Sequence, residues 1–73
     1  MAAFGERLKE LRTNKNITQK QFAKIIGIEE RSYQRYENGN STPNYNVLIF
    51  IADYYNVSLD YLTGRSDNST IDK

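Results

Sequence analysis

Seventy-three residues make one domain at most, and a chain of that size buries only about 60% of the surface its unfolded form exposes, which excludes a large enclosed active site. The absence of Cys and His excludes disulfides, thiolate chemistry and the two commonest transition-metal ligands, so neither a metal nor another cofactor is expected. Net charge is only +1, but it divides into +3 over residues 1–38 and −2 over residues 39–73, a skew that a solvated helix face explains as well as a polyanionic partner does.

Phe4, Leu8 and Leu11 recur at i, i+4 and i+7, which predicts an amphipathic helix from Ala3 to about Asn14. Thr18 opens a second helix. Its hydroxyl can cap the backbone while Gln21 reaches back, and Ile17 can pack on Phe22 across the start. Phe22, Ala23 and Ile26 form the inner face, and Gly27 ends the helix. After a short turn, a third helix runs from Glu30 to Asn38 and ends at Gly39. "NSTPN" is a loop from which Asn44 caps a fourth helix, reaching about Tyr55 with Leu48, Ile51, Ala52 and Tyr55 inward. Within it "VLIFIA" also fits a buried strand, but helical neighbours and the cap favour helix. That run is far short of the roughly 20 apolar residues of a membrane span, and the N-terminus lacks a signal-peptide core, so a soluble cytoplasmic protein is expected. Ser58 caps a last helix, Leu59 to Thr63, closed by Gly64. Residues 1–65 therefore make one domain, and the polar stretch 66–73 is a disordered tail or the start of a linker.

These five helices, with "TQKQFAKIIGI" turning into "SYQRYENG", resemble the phage-repressor family of helix-turn-helix proteins, the lambda-repressor and Cro type. The resemblance extends over "LKELR", Thr18-Gln19, Ala23, Gly27, Tyr36-Glu37, Gly39, Pro43, Leu48, Ile51-Ala52 and "VSLDYL". It implies an all-α, five-helix lambda-repressor-like domain whose second and third helices form the helix-turn-helix. Ala23 allows close approach of those helices, and Gly27 allows the turn between them.

With Tyr33 and Tyr36 at family core positions, the outward face of the third helix holds Glu30, Arg31, Gln34 and Arg35. Arg31 and Arg35 are like charges at i, i+4, which costs an isolated helix roughly 0.2–0.5 kcal/mol, so a purely structural helix gains nothing from them. Arg suits the guanine edge and Gln adenine, and the resemblance implies that these positions read bases. Either arginine could instead hold phosphates, and Glu30 either accepts from cytosine or answers the helix dipole. Gln19 matches the family position that bonds a phosphate at a helix N-terminus. Lys20 adds charge nearby, and Asn38 and Asn40 lie at the far end of the third helix; each is a further contact or a solvated side chain. Arg12 and Glu37 match a structural pair tying helix one to the end of helix three.

Five positions depart from the family pattern. Glu29 is a poor cap where Ser, Thr or Asp is usual. Tyr33 replaces a smaller aliphatic, so its ring either fills core or swings toward the DNA backbone. Ile49, Phe50 and Tyr54 stand where polar residues are common, and Val47, Phe50 and Tyr54 form a second apolar stripe: a homodimer interface, or a thicker core under helix five.

The function expected is a sequence-specific DNA-binding transcriptional regulator, a bacterial or phage repressor that binds double-stranded DNA at a palindromic operator as a homodimer. The alternative is a protein-interaction module, antitoxin-like, using residues 44–55. With no catalytic constellation, an enzyme is not expected. The polar end suits either a complete small regulator or part of a longer repressor.

Overall fold

The computed structural model describes residues 3–68 and holds five helices: α1 (Phe4–Asn14), α2 (Gln19–Ile26), α3 (Glu30–Glu37), α4 (Tyr45–Tyr55) and α5 (Leu59–Leu62). Among the described residues there is no strand, so "VLIFIA" is helical. No helix among them is long and apolar enough to cross a membrane.

The caps that start these helices are local. At α2, Gln21 N–H donates to Thr18 Oγ1 at 3.0 Å and Thr18 N–H donates to Gln21 Oε1 at 2.9 Å, which satisfies two backbone donors reciprocally. Asn44 Oδ1 accepts from Val47 N–H at 2.9 Å, and Ser58 Oγ from Tyr61 N–H at 3.0 Å. A side-chain cap of this kind is worth about 1 kcal/mol. Helices α3 and α5 each end one residue sooner than the sequence pattern suggests, with Asn38 and Thr63 as their C-caps.

Helix α1 packs on α3 and α5, α2 on α3 and α4, and α4 on α5. Between them lie Leu8, Phe22, Ala23, Tyr33, Ile51, Ala52, Tyr55, Val57 and Leu62. Phe22 is the hub: its ring centroid stands 5.5 Å from Tyr33, 5.2 Å from Tyr54 and 5.1 Å from Tyr55. Edge and tilted contacts of this kind add about 0.5–1.5 kcal/mol each beyond the area they bury. Tyr33 is completely buried, which excludes the outward alternative and makes its ring part of the core.

One requirement of the packing is carried by Gly5. A Cβ there would overlap the Glu37 carbonyl oxygen and lie 2.9 Å from that of Tyr36, so a bare Cα is what lets α1 cross the end of α3. At the other end of the described chain, Asp67 Oδ1 accepts from the buried Arg7 guanidinium at 3.1 Å, and that guanidinium lies 3.8 Å above the Tyr61 ring. Residues 66–68 of the stretch expected to form a tail thus lie against α1 and α5, with Ser66 N–H donating to the Asp60 carbonyl at 3.1 Å. The remaining residues of that stretch, 69–73, lie outside the described residues.

Gly5→Ala should lower stability by about 1–3 kcal/mol, the usual cost of forcing atoms into a filled site, and lower the melting temperature by at least about 5 °C. Thermal denaturation followed by circular dichroism checks this, and an unchanged midpoint would mean that α1 can shift at no cost.

Candidate nucleic-acid interface

The turn from α2 to α3 is set by Gly27, whose φ of +92° is left-handed. Its N–H and that of Ile28 both donate to the Ala23 carbonyl, at 2.9 and 3.0 Å, closing the end of α2. Ala23 is buried where α2 meets α3, and its small side chain keeps the two axes close. Helix α3 starts at Glu30 with no side-chain cap from Glu29, in line with the poor capping chemistry there. Its end is held better: Asn40 and Ser41 N–H both donate to the Arg35 carbonyl, at 2.9 and 3.3 Å.

Arg12 and Glu37 form the expected pair. Arg12 Nε donates to Glu37 Oε2 at 2.6 Å and Nη2 to Oε1 at 3.1 Å, while Nη1 donates to the Ile17 carbonyl at 2.7 Å. The side chains are only 10% and 2% exposed, so this is an ion pair in low dielectric, joined in the bidentate geometry that Arg alone provides. Burial by itself pushes the Glu37 carboxyl pKa up, but the hydrogen bonds from Arg12 and Gln19, with the Tyr33 hydroxyl close by, together outweigh it and hold the group below its ordinary value. The Tyr33 hydroxyl is buried against this carboxylate without a hydrogen bond of regular geometry, and burial first, then the adjacent charge, raises its pKa.

The pair continues outward as a ladder. Gln19 Nε2 donates to Glu37 Oε1 at 3.0 Å, Gln34 Nε2 donates to Gln19 Oε1 at 3.4 Å, and the same nitrogen donates to Glu30 Oε2 at 3.3 Å. Five of the residues singled out from the sequence, Arg12, Glu37, Gln19, Gln34 and Glu30, are therefore in one connected chain across α1, α2 and α3.

Arg31 and Arg35 are exposed one turn apart on α3, and among the described residues neither makes an ion pair or a side-chain hydrogen bond. Lys20, Asn38 and Asn40 are exposed as well, Lys20 beside Gln19 in the first turn of α2 and the asparagines just past the end of α3. The face contains no group of acids able to hold a metal among the described residues.

On α4, Val47 packs against the core, whereas Phe50 and Tyr54 remain 41% and 38% exposed, stacked at 6.4 Å with ring planes 16° apart. Helix α5 leaves these two rings uncovered. Ile25 on α2 is 42% exposed, and it lines with Ile17, Lys24 and Tyr54 an open groove of about 560 Å³ between α2 and α4.

Sequence reasoning missed Gly5, the Gln19–Glu37 bond, the Arg7–Asp67 latch and this groove. Only Gly5 left a signal, as a glycine inside the first turn of a helix where Ala would be the better helix former.

The fold is that of a five-helix DNA-binding-type bundle with a helix-turn-helix at α2 and α3. A family model described as a helix-turn-helix domain matches residues 5–65, and the chain belongs to that family, in its Cro and lambda-repressor-like branch. It is 40% identical over 68 residues to the uncharacterized HTH-type transcriptional regulator YqaE of Bacillus subtilis, a match covering 93% of this chain and 59% of that one. It is 45% identical over 60 residues to the cryptic phage CTXphi transcriptional repressor RstR of Vibrio cholerae, covering 82% and 54%. The crystal structure of a transcriptional regulator from Listeria innocua superposes with a TM-score of 0.80 at 30% identity, over 84% of this chain and 57% of that one. The chain thus spans a little more than half the length of these two curated relatives.

Arg12→Ala should cost about 3–5 kcal/mol because it strands the Glu37 charge in the interior, and the melting temperature should fall accordingly in the absence of any ligand. The pair is also pH-sensitive in one direction. Since the folded-state pKa of Glu37 is depressed, its contribution is fully present above the ordinary carboxylate value of 4.5 and is lost as pH falls through the lower folded value. Urea midpoints measured from neutral to acid pH should therefore drop more steeply in the parent than in Glu37→Gln. Parallel curves would contradict this assignment.

Proposed function

We propose that the chain is a sequence-specific DNA-binding regulator of transcription, acting as a repressor, with α3 in the major groove. The observation that carries this reading is the exposed arginine pair on α3. Arg31 and Arg35 are two cations one turn apart, repelling one another and unpaired among the described residues, a cost that a duplex would relieve. Arg31 and Arg35 present bidentate donors suited to guanine O6 and N7, with Gln34 between them. Gln19 and the first backbone amides of α2 face a phosphate, and Lys20, Asn38 and Asn40 flank the same track. The names of the similar proteins, transcriptional regulators and a phage transcriptional repressor, support the reading.

The operator is palindromic in this proposal and the protein binds it as a homodimer through Phe50 and Tyr54, with half-sites about 34–36 Å apart. The same exposed rings and the adjoining groove favour a second reading, a module that mainly binds another protein. Salt separates the two, since binding that neutralises phosphates weakens steeply as salt rises and an apolar contact does not.

Selection of bound sequences from random duplex DNA at two salt concentrations is the direct test. An enriched palindrome should emerge, and Arg31→Ala should relax one position in each half-site by about 1–3 kcal/mol of discrimination. No enriched motif would return the function to protein binding. For the interface, sedimentation should give a dimer that Phe50→Asp converts to monomer with little change in melting temperature, because that ring is largely outside the core. A parent that stays monomeric at high concentration rules out the Phe50 contact.

A further inference from the structure

We infer that Glu30 fixes the polarity of the Gln34 amide, so that this pair presents only acceptors and selects a base whose major-groove edge donates, adenine or cytosine. The inference rests on the reading of α3 as the base-reading helix.

A side-chain amide has two N–H donors on one nitrogen and an oxygen that only accepts. In Gln34 both donors are engaged within the protein, one by Glu30 Oε2 at 3.3 Å and the other by Gln19 Oε1 at 3.4 Å. The orientation is enforced from both ends of the ladder. An ionised carboxylate can only accept, so Glu30 requires the nitrogen of Gln34 to face it, and Glu37 requires the nitrogen of Gln19 to face it at 3.0 Å. Turning Gln34 over would set its oxygen against both Glu30 Oε2 and Gln19 Oε1. Turning Gln19 over would set oxygen against Glu37 and nitrogen against nitrogen at Gln34. Each amide therefore holds the other in place.

The consequence is chemical. A freely rotating glutamine can donate and accept together, the pattern that suits adenine N7 and N6. Here Gln34 has only its oxygen left, and the neighbouring Glu30 is also an acceptor. In the major groove the matching donors are the exocyclic amines of adenine and cytosine, whereas guanine and thymine present O6 and O4, acceptors that repel it. Arg31 and Arg35, which can only donate, carry the opposite preference for guanine. Gln19 is not silenced by the ladder: one of its N–H groups is bound by Glu37, and among the described residues no acceptor takes the second, which stays available to a phosphate.

The test compares the full chain with Gln34→Ala and Glu30→Ala in the random-duplex selection. The position whose preference disappears in Gln34→Ala should favour adenine or cytosine over guanine or thymine by about fivefold or more in the parent. In Glu30→Ala, guanine and thymine should be admitted at that position alone. The measure is a ratio between bases, so a general rise in affinity from removing an acid does not enter it. A parent preference for guanine or thymine there, an unchanged ratio in Glu30→Ala, or a motif with no position dependent on Gln34 overturns the inference and leaves the regulator reading intact. A parent with no motif at all overturns both. In the free protein, the side-chain amide resonances of Gln34 and Gln19 should both move in Glu30→Ala while the melting temperature holds, and fixed resonances would dispose of the ladder whatever the DNA result.

Discussion

The Glu37 carboxylate, almost wholly removed from water, is the point on which the arrangement of α1, α2 and α3 depends. A charge in that position must be neutralised and its lone pairs filled, and the partners come from different helices: Arg12 from α1, Gln19 from α2. Arg12 Nη1 also donates to the Ile17 carbonyl, in the loop leading into α2. An apolar contact tolerates sliding, whereas a fork of hydrogen bonds on one carboxylate does not. The angle at which α3 leaves the turn is thus defined by directional bonds as well as by packing.

Packing acts in the same sense from the other side. The Phe22 ring is touched by aromatic side chains of α3 and α4, so α2 is trapped between α3 and the long α4. Gly5 brings α1 onto the last turn of α3 at backbone distance. The result is a braced platform under an exposed face bearing two arginines that are unpaired among the described residues. Precision in such a face matters because base edges are discriminated by hydrogen bonds whose strength falls steeply with misalignment.

Much of this was legible in the sequence where the cause is local. Thr18 with Gln21, Asn44 and Ser58 announce their helices because a cap and its partner lie within three residues. The outward set on α3 follows from helical spacing once Tyr33 and Tyr36 are assigned inward, and the burial of Tyr33 agrees with that assignment. The Arg12–Glu37 pair was legible only through family resemblance, since nothing in two charges 25 positions apart dictates contact. Gly5 showed only as a glycine where Ala would be the better helix former, with nothing to say why, and the amide ladder was not legible at all. The need for a bare Cα comes from carbonyls in another helix, and the direction of an amide is decided by which acceptors tertiary structure brings to it.

Helix α3 is anchored unequally along its length. Its last turn carries the ion pair, the contact with Gly5 and two loop amides on the Arg35 carbonyl, while Glu29 gives its first turn no side-chain cap. Local opening free energy follows the density of such restraints, so stiffness must increase from Glu30 toward Glu37. A surface meeting this helix would encounter a fixed heel and a compliant toe. Small mismatches in the approach of a partner would be absorbed by the opening turn around Glu30 and Arg31, without disturbing the core that Glu37 organises.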